Sequence, residues 1–308
     1  MIKKQLSYLL ICIFPLLVKG QQHIDKIQVA DGPEDFVIDS CVTSPRLLIA
    51  CDNRRKGERK EGSVWQYRLN DSSATPFPID FKTYTSSFHP LGISNWENYL
   101  FIINFVTPKK SEVIRFEITA DKLMFDTVFQ HKYLSYANDL FAQGKERFLI
   151  SKYKTLNGKL IAYDSGVYSV LDRGIKMPNS VIQFGDSILL STTLSGKIIW
   201  YDASNNYKRK TLFKHIKGAD NLSGTQTELL VASHPDFRAF FKHYRSKENP
   251  SPTLLYSLNT ITREKKIIFQ DTGKMISAGS GGILFKGDLF ISQIFDDFIV
   301  VIPDFRQE

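Results

Sequence analysis

Long apolar runs are scarce in this chain. Beyond the first 20 of its 308 residues, no stretch is long and apolar enough to span a bilayer. Helical periodicity is scarce too, which argues against a bundle or an alternating α/β fold. Cysteine occurs three times and histidine six times in the whole sequence, too few and too scattered for a Cys/His metal site or a disulfide framework. Two cysteines, Cys41 and Cys51, flank an expected hairpin in CVTSPRLLIAC, where a short-loop disulfide and two half-buried thiols are both compatible with the spacing. There is no phosphate-binding loop and no dinucleotide fingerprint. The string SAGSGG (277–282) lacks the spacing of a nucleophile elbow and sits in a strand pattern.

The excess of base over acid is also small. Lys and Arg number 40 against 32 Asp and Glu, a formal charge of +8, and three of those positive charges are Lys3, Lys4 and Lys19. The densest cluster, NRRKGERKE (53–61), reads as a solvated loop, and no recognition motif accompanies it, so no nucleic-acid partner is expected. The beginning of the chain, MIKKQLSYLLICIFPLLVKGQQ, places two lysines before an apolar run and small residues near Gly20. That pattern predicts a secretory signal peptide over residues 1–20 and an exported product, with one domain over 21–308.

Short β-branched and aromatic runs fill the remainder, separated by Gly, Asn, Asp and Pro. The strongest are LLIACDN (47–53), YLFIINF (99–105), RFLISKY (147–153), SILLSTT (187–193), ELLVASH (228–234) and DLFISQIF (288–295). Each is followed by a second run of alternating character, such as SVWQYRL (63–69) or KIIWYDA (197–203). Six units of about 48 residues predict an all-β fold, a six-bladed β-propeller around a central channel.

Each apolar run is preceded by a polar-headed segment expected to form the innermost strand of its blade. These are GPEDFVID (32–39), HPLGISNW (89–96), YANDLFAQ (136–143), MPNSVIQF (177–184), GADNLSGT (218–225) and SAGSGGILF (277–285). Inner strands line the channel, so equivalent positions converge, bringing Glu34, Asn138, Asn179, Asp220 and Asn221 together. Carboxylate and amide oxygens without Cys or clustered His suit a hard cation such as Ca²⁺, and Glu34 with Asp220 balances its charge. Asp35 and Asp139 follow two of these residues, point the other way in extended chain, and are expected to hold a second, deeper ion with the backbone of Ile93.

GPED, HP-x-GIS, ND-L, the Asn179 cluster, the Asp220-Asn221 pair with its strand and His234-Pro235, and LFKGDLFISQIF occur in an order that resembles the paraoxonase/arylesterase family. Those proteins are calcium-dependent six-bladed propellers that hydrolyse lactones and aryl esters. The resemblance covers nearly the whole chain after the leader, and CDNRRKGERKEGSVWQY is similar to the first-blade loop of bacterial-type members. It implies Glu34, Asn138, Asn179, Asp220 and Asn221 as ligands of a catalytic calcium, and Asp35, Asp139 and Ile93 at a structural one. It also places His234 at a pocket histidine of the family. The chain departs from the pattern at the family's proposed base, where Leu91 stands in Pro90-Leu91-Gly92-Ile93, and at that base's partner, which is Phe105. Neither side chain can accept a proton.

The resemblance therefore implies an exported calcium-dependent hydrolase acting on a small ester or lactone, with Asp220 and His234 as the remaining candidate catalytic residues. His89 is a substitute base in reach of the same side of the strand. Two alternatives stand beside this reading: a non-catalytic propeller stapled by calcium, and a relative of the gluconolactonase/regucalcin group with a smaller metal shell. The segment from Phe237 to Lys247 reads as an amphipathic helix on top of the propeller, the alternative being contact with a membrane surface. Nothing in the sequence bears on oligomeric state.

Overall fold

The computed structural model describes residues 23–57, 60–69, 72–107 and 109–305, so the expected signal peptide over 1–20 lies outside the described residues. Within them the apolar and alternating runs form six antiparallel sheets. Their innermost strands are β1 (Pro33–Asp39), β2 (Pro90–Trp96), β3 (Ala137–Gly144), β4 (Pro178–Phe184), β5 (Ala219–Gly224) and β6 (Gly279–Phe285). The next strands outward are Arg46–Cys51, Tyr99–Thr107, Arg147–Lys152, Ser187–Thr192, Glu228–Ser233 and Asp288–Gln293. The third strands are Ser63–Arg68, Lys110–Ile118, Gly158–Asp164, Lys197–Asp202, Thr253–Asn259 and Phe298–Ile302.

Five blades take their fourth strand from the chain that follows the third, such as Lys208–Phe213 in blade 4. Blade 2 carries a fifth, short strand, Ile79–Asp80, paired parallel to Leu123–Phe129. Blade 6 is completed by the beginning of the described chain. Asp25–Gln28 pairs antiparallel with Phe298–Ile302 in the register Asp25 to Val301. This pairing covers the outer edge of Phe298–Ile302 and ties the beginning and the end of the described residues into one ring.

Both faces of a blade pack against neighbours, and this explains why the second strands are apolar without alternation. Leu47, Leu48, Ile49 and Ala50 are all fully buried. Six apolar clusters among the described residues occupy the six seams between adjacent blades. The seam of blades 1 and 2 packs Leu48 and Ala50 against Leu100, Ile102 and Phe116. The seam of blades 6 and 1 packs Phe290 and Ile299 against Phe36, Leu47 and Tyr67, with Tyr67 edge-on to Phe290 at 5.8 Å.

One α-helix, α1 (Phe237–Arg245), interrupts blade 5 between its second and third strands. Asp236 caps it, its Oδ1 accepting from the backbone N–H of Arg238 at 2.8 Å and of Ala239 at 3.2 Å. The first loop pins the helix over the channel. The Arg55 guanidinium pairs with Asp296 and donates to the His243 backbone oxygen, and Lys56 N–H donates to Tyr244 O at 3.2 Å.

Candidate metal centre at the channel mouth

Every inner strand breaks register with its neighbour at the same place. The ladder skips between Pro33 and Asp35, Pro90 and Ile93, Ala137 and Asp139, Pro178 and Val181, Ala219 and Leu222, and Gly279 and Gly281. Glu34, Leu91, Asn138, Asn179, Asp220 and Ser280 stand in those gaps. A bulge frees a residue from ladder pairing and re-aims its side chain. The repeated polar heads of the inner segments are therefore a ring of bulges.

Two residues earlier the chain turns through left-handed backbone in five blades, with φ of 65° at Gly32, 61° at Tyr136, 50° at Met177, 71° at Gly218 and 53° at Ala278. Such a conformation costs a non-glycine residue about 1–2 kcal/mol. At Gly32 and Gly218 the turn is also crowded, since an added Cβ would lie 2.1 Å from Asp52 O and 2.2 Å from His234 O. The turn carbonyls do the same work in all six blades. Gly32, His89, Tyr136, Met177, Gly218 and Ala278 accept from the backbone N–H of Asp52, Phe105, Tyr153, Thr193, His234 and Ile294. These six donors form a second ring just outside the first.

A cavity of about 540 Å³ opens at this mouth, walled by Glu34, Leu91, Asn138, Asn179 and Asp220 of the first ring and Tyr153, Thr193, His234 and Ile294 of the second. Asp220 Oδ2 and His234 Nε2 are 2.7 Å apart, both side chains almost wholly buried. The carboxylate can only accept, so Nε2 carries the proton. His234 Nδ1 is buried without a hydrogen-bond partner among the described residues, and its ring packs on Phe240 of α1 at 4.7 Å. Asn138 Nδ2 donates to Asn179 Oδ1 at 3.1 Å, and Asn179 Nδ2 donates to Thr193 Oγ1 at 3.2 Å.

Asp35 and Asp139 face the other way, into a cavity of about 400 Å³ at the opposite end of the channel, which Ile93 also lines. Asp35 Oδ2 accepts from the backbone N–H of Ile93 at 2.9 Å, so at this position it is the amide of Ile93 that meets the carboxylate. Asp139 Oδ2 accepts from Val181 N–H at 2.9 Å. Asn221 does not wall the mouth cavity; its Nδ2 donates to Glu34 O at 3.2 Å.

The buried acids strain one another. Burial pushes the Glu34 carboxyl up to about 7, with Asp220, Asp139 and Asp52 adding to the rise and Arg54 opposing it. Burial likewise raises Asp139 to about 7 against the hydrogen bonds of Ser180, Val181 and Leu140. Asp35 is held well above the usual carboxylate range by burial and by the charges of Asp139 and Glu34. The nearest cation is Arg54, whose guanidinium lies 3.9 Å from Glu34 Oε2 and is bound to the backbone oxygens of Gly32, Asp52 and Pro90.

The donor set at both ends of the channel is oxygen only, the chemistry of Ca²⁺ rather than of zinc. Among the described residues no three His, Cys, Asp or Glu side chains stand close enough to form a ligand group by themselves. A cation at the mouth would need the amide oxygens of Asn138 and Asn179 beside Glu34 and Asp220, and it would offset the burial and the neighbouring negative charge that raise Glu34. The residues fit such an ion on those two grounds.

His89 is not brought to the mouth. Its Nδ1 lies 3.0 Å from Asp52 Oδ1 and its backbone N–H donates to Asn104 Oδ1 at 2.6 Å, and it walls neither the mouth cavity nor the one at the opposite end. Cys41 and Cys51 are both thiols, Cys41 exposed and donating to Glu97 O at 3.0 Å, Cys51 buried. Sequence reasoning missed Tyr153, Thr193 and Ile294. The signal was present, because each stands seventh in its second-strand run, the position that His234 holds in ELLVASH.

No family model matches the chain. It is similar to serum paraoxonase/arylesterase 1 of Homo sapiens, 23% identical over 267 residues that make up 76% of this chain and 75% of that protein. It is also similar to serum paraoxonase/arylesterase 2 of Bos taurus, 22% identical over 77% of this chain and 75% of the other. Among solved structures, a putative oxidoreductase (glucose dehydrogenase) from Thermus thermophilus superimposes with a TM-score of 0.54 at 11% identity, over 91% of this chain and 99% of that one. The structural likeness speaks for the propeller fold. The two relatives support a paraoxonase-like protein of the hydrolase type.

Proposed function

We propose that this protein is an exported, calcium-dependent hydrolase of aryl esters or lactones that works at the mouth cavity without the usual histidine pair. The observation that carries the reading is Asp220 held at 2.7 Å by His234 on the wall that also carries Glu34, Asn138 and Asn179. Calcium, when bound, would supply Lewis-acid polarisation of the ester carbonyl. Glu34, Asn138, Asn179 and Asp220 are the side chains that would hold it at the mouth, and Asp35 and Asp139 those that would hold a second ion below.

Asp220 orients the attacking water. The water oxygen bonds to the carbonyl carbon, a water proton passes to the Asp220 carboxylate, and that proton returns to the departing phenoxide or alkoxide as the ester C–O bond breaks. His234 is a positioning residue, because its Nε2–H holds Asp220 and its Nδ1 is buried away from water. Arg54, at the cavity wall and 3.9 Å from Glu34, adds positive potential where negative charge develops on the carbonyl oxygen. Export rests on the leader pattern of residues 1–20.

The test is hydrolysis of phenyl acetate and a small lactone panel by the protein, with calcium and with EDTA, beside Asn179→Ala. Turnover that vanishes with chelator and in the variant is the expected result. Absence of turnover with all these substrates, together with a large calcium-dependent rise in Tm, would favour the calcium-stapled, non-catalytic propeller instead.

A further inference from the structure

The glycine-rich stretch of blade 6, SAGSGG (277–282), brings neither an acid nor an amide to the mouth, and the two ring positions of that blade are Ser280 and Ile294. Its hydroxyls act elsewhere. Ser280 Oγ donates to the backbone oxygen of Glu34 at 2.6 Å, and Ser292 Oγ, on the neighbouring strand of the same blade, reaches that oxygen at 3.1 Å. Asn221 Nδ2, from blade 5, donates to it at 3.2 Å. Three side chains that stand 187, 246 and 258 residues from Glu34 thus converge on one carbonyl. Both serines are fully buried, and their Oγ atoms lie 3.0 Å apart. The fit needs a glycine beside them, since a Cβ added at Gly281 would lie 2.9 Å from Ser292 Oγ and 3.4 Å from Asn221 Cβ.

The acceptor belongs to the residue that most needs fixing. Glu34 stands in the ladder gap between Pro33 and Asp35, where its side chain is freed from strand pairing. A buried carbonyl without a partner is costly, so the backbone of the bulge stays where its donors are. The carboxylate follows the backbone, 3.9 Å from Arg54 and on the wall that also carries Asn138, Asn179 and Asp220. Blade 6 is also the blade completed by Asp25–Gln28, so this clasp joins the closing seam of the ring to the acid at its mouth.

We infer that Ser280 and Ser292, with Asn221, are positioning residues for Glu34: they clasp the carbonyl of its bulge and thereby set its carboxylate at the polar side of the mouth. The consequence for cation binding rests on the calcium reading above, whereas the placement of Glu34 does not.

Two measurements on the full protein test it. The first is the crystal structure of chelator-treated Ser280→Ala/Ser292→Ala beside that of the wild-type chain. Glu34 Oε2 should leave its place beside Arg54 in the variant, and a Glu34 that stays put overturns the clasp. The second is calorimetric titration with Ca²⁺, in which the double variant should bind about tenfold more weakly. In a Glu34→Gln background the same two substitutions should cost less than about twofold, because their effect passes through the carboxylate. Equal losses in both backgrounds would mean that the serines only support packing, and would overturn the positioning role. Should the double variant not fold, Ser292→Ala alone takes its place in both measurements, with an expected loss of about threefold. A displaced Glu34 in a protein that binds no Ca²⁺ before or after substitution keeps the clasp and overturns the calcium reading.

Discussion

Blades 2 and 5 use the same backbone for opposite ends of the polarity scale. In blade 5 the bulge residue Asp220 meets His234 at 2.7 Å, and in blade 2 the same two positions are Leu91 and Phe105. Both blades keep the hydrogen bond that sets the second ring, Gly218 O to His234 N–H at 2.9 Å and His89 O to Phe105 N–H at 2.8 Å. The left-handed turn, however, is present at Gly218 and absent at His89. The propeller fixes where a mouth side chain stands through a backbone bond that both blades share. The two side chains of a blade can then change together as a pair, which is how one architecture carries a polar half and an apolar half around one channel.

The largest expected effect comes from breaking the polar member. Asp220→Ala is predicted to lower kcat/KM for phenyl acetate by on the order of a thousandfold, read by steady-state kinetics. A loss of less than tenfold would place the chemistry elsewhere. Exporting blade 5 chemistry to blade 2 should be costly next. Leu91→Asp buries a carboxylate beside Phe105 with no partner and is predicted to destabilise the fold by about 2–4 kcal/mol in urea melts. Adding Phe105→His should return part of that loss, and no recovery would mean that the two blades do not hold these positions equivalently.

A third prediction concerns pH in chelator-treated protein. Unfolded, Glu34 titrates near 4.5, and in the fold burial pushes it up to about 7. Between these values the folded state holds more protons, so stability is greatest toward pH 4.5, falls as pH rises to about 7, and levels off above. Asp139 acts in the same direction. Thermal melts at pH 5 and 7.5 read this, and added calcium should reverse it; a metal-free protein more stable at the higher pH would contradict it. The smallest effect is in blade 4, where Thr193→Val removes the acceptor of Asn179 Nδ2 and the donor to Ala219 O, for about 1 kcal/mol.

Much of this was legible in the sequence because propeller blades must bury both faces. The six apolar runs and the six polar-headed segments before them coincide with second and inner strands. The helix also announced itself, through the amphipathic pattern that begins at Phe237, although it ends at Arg245 rather than Lys247. The outer strands were not read, since edges exposed to water, such as Lys208–Phe213, carry no apolar period. Nor was the closure by Asp25–Gln28, a pairing to residues 298–302 that no local pattern encodes.

At the site, the side-chain types and their convergence could be read from repeat position. Their orientation could not. The bulges decide it, turning Glu34 to the mouth and Asn221 toward the Glu34 backbone, and leaving the Ile93 N–H rather than its carbonyl against Asp35. Bulges depend on register between strands, which a single strand's sequence does not specify.

The proposed chemistry depends on a calcium ion at the polar half of the mouth. Calorimetric titration of chelator-treated protein with Ca²⁺ at pH 7.5, beside Asn179→Ala, would detect it. Saturable binding is expected in the wild-type chain, weakened at least tenfold in the variant, whose lost amide oxygen would be one ligand of the shell. Binding of equal strength in both proteins, or none in either, would contradict it.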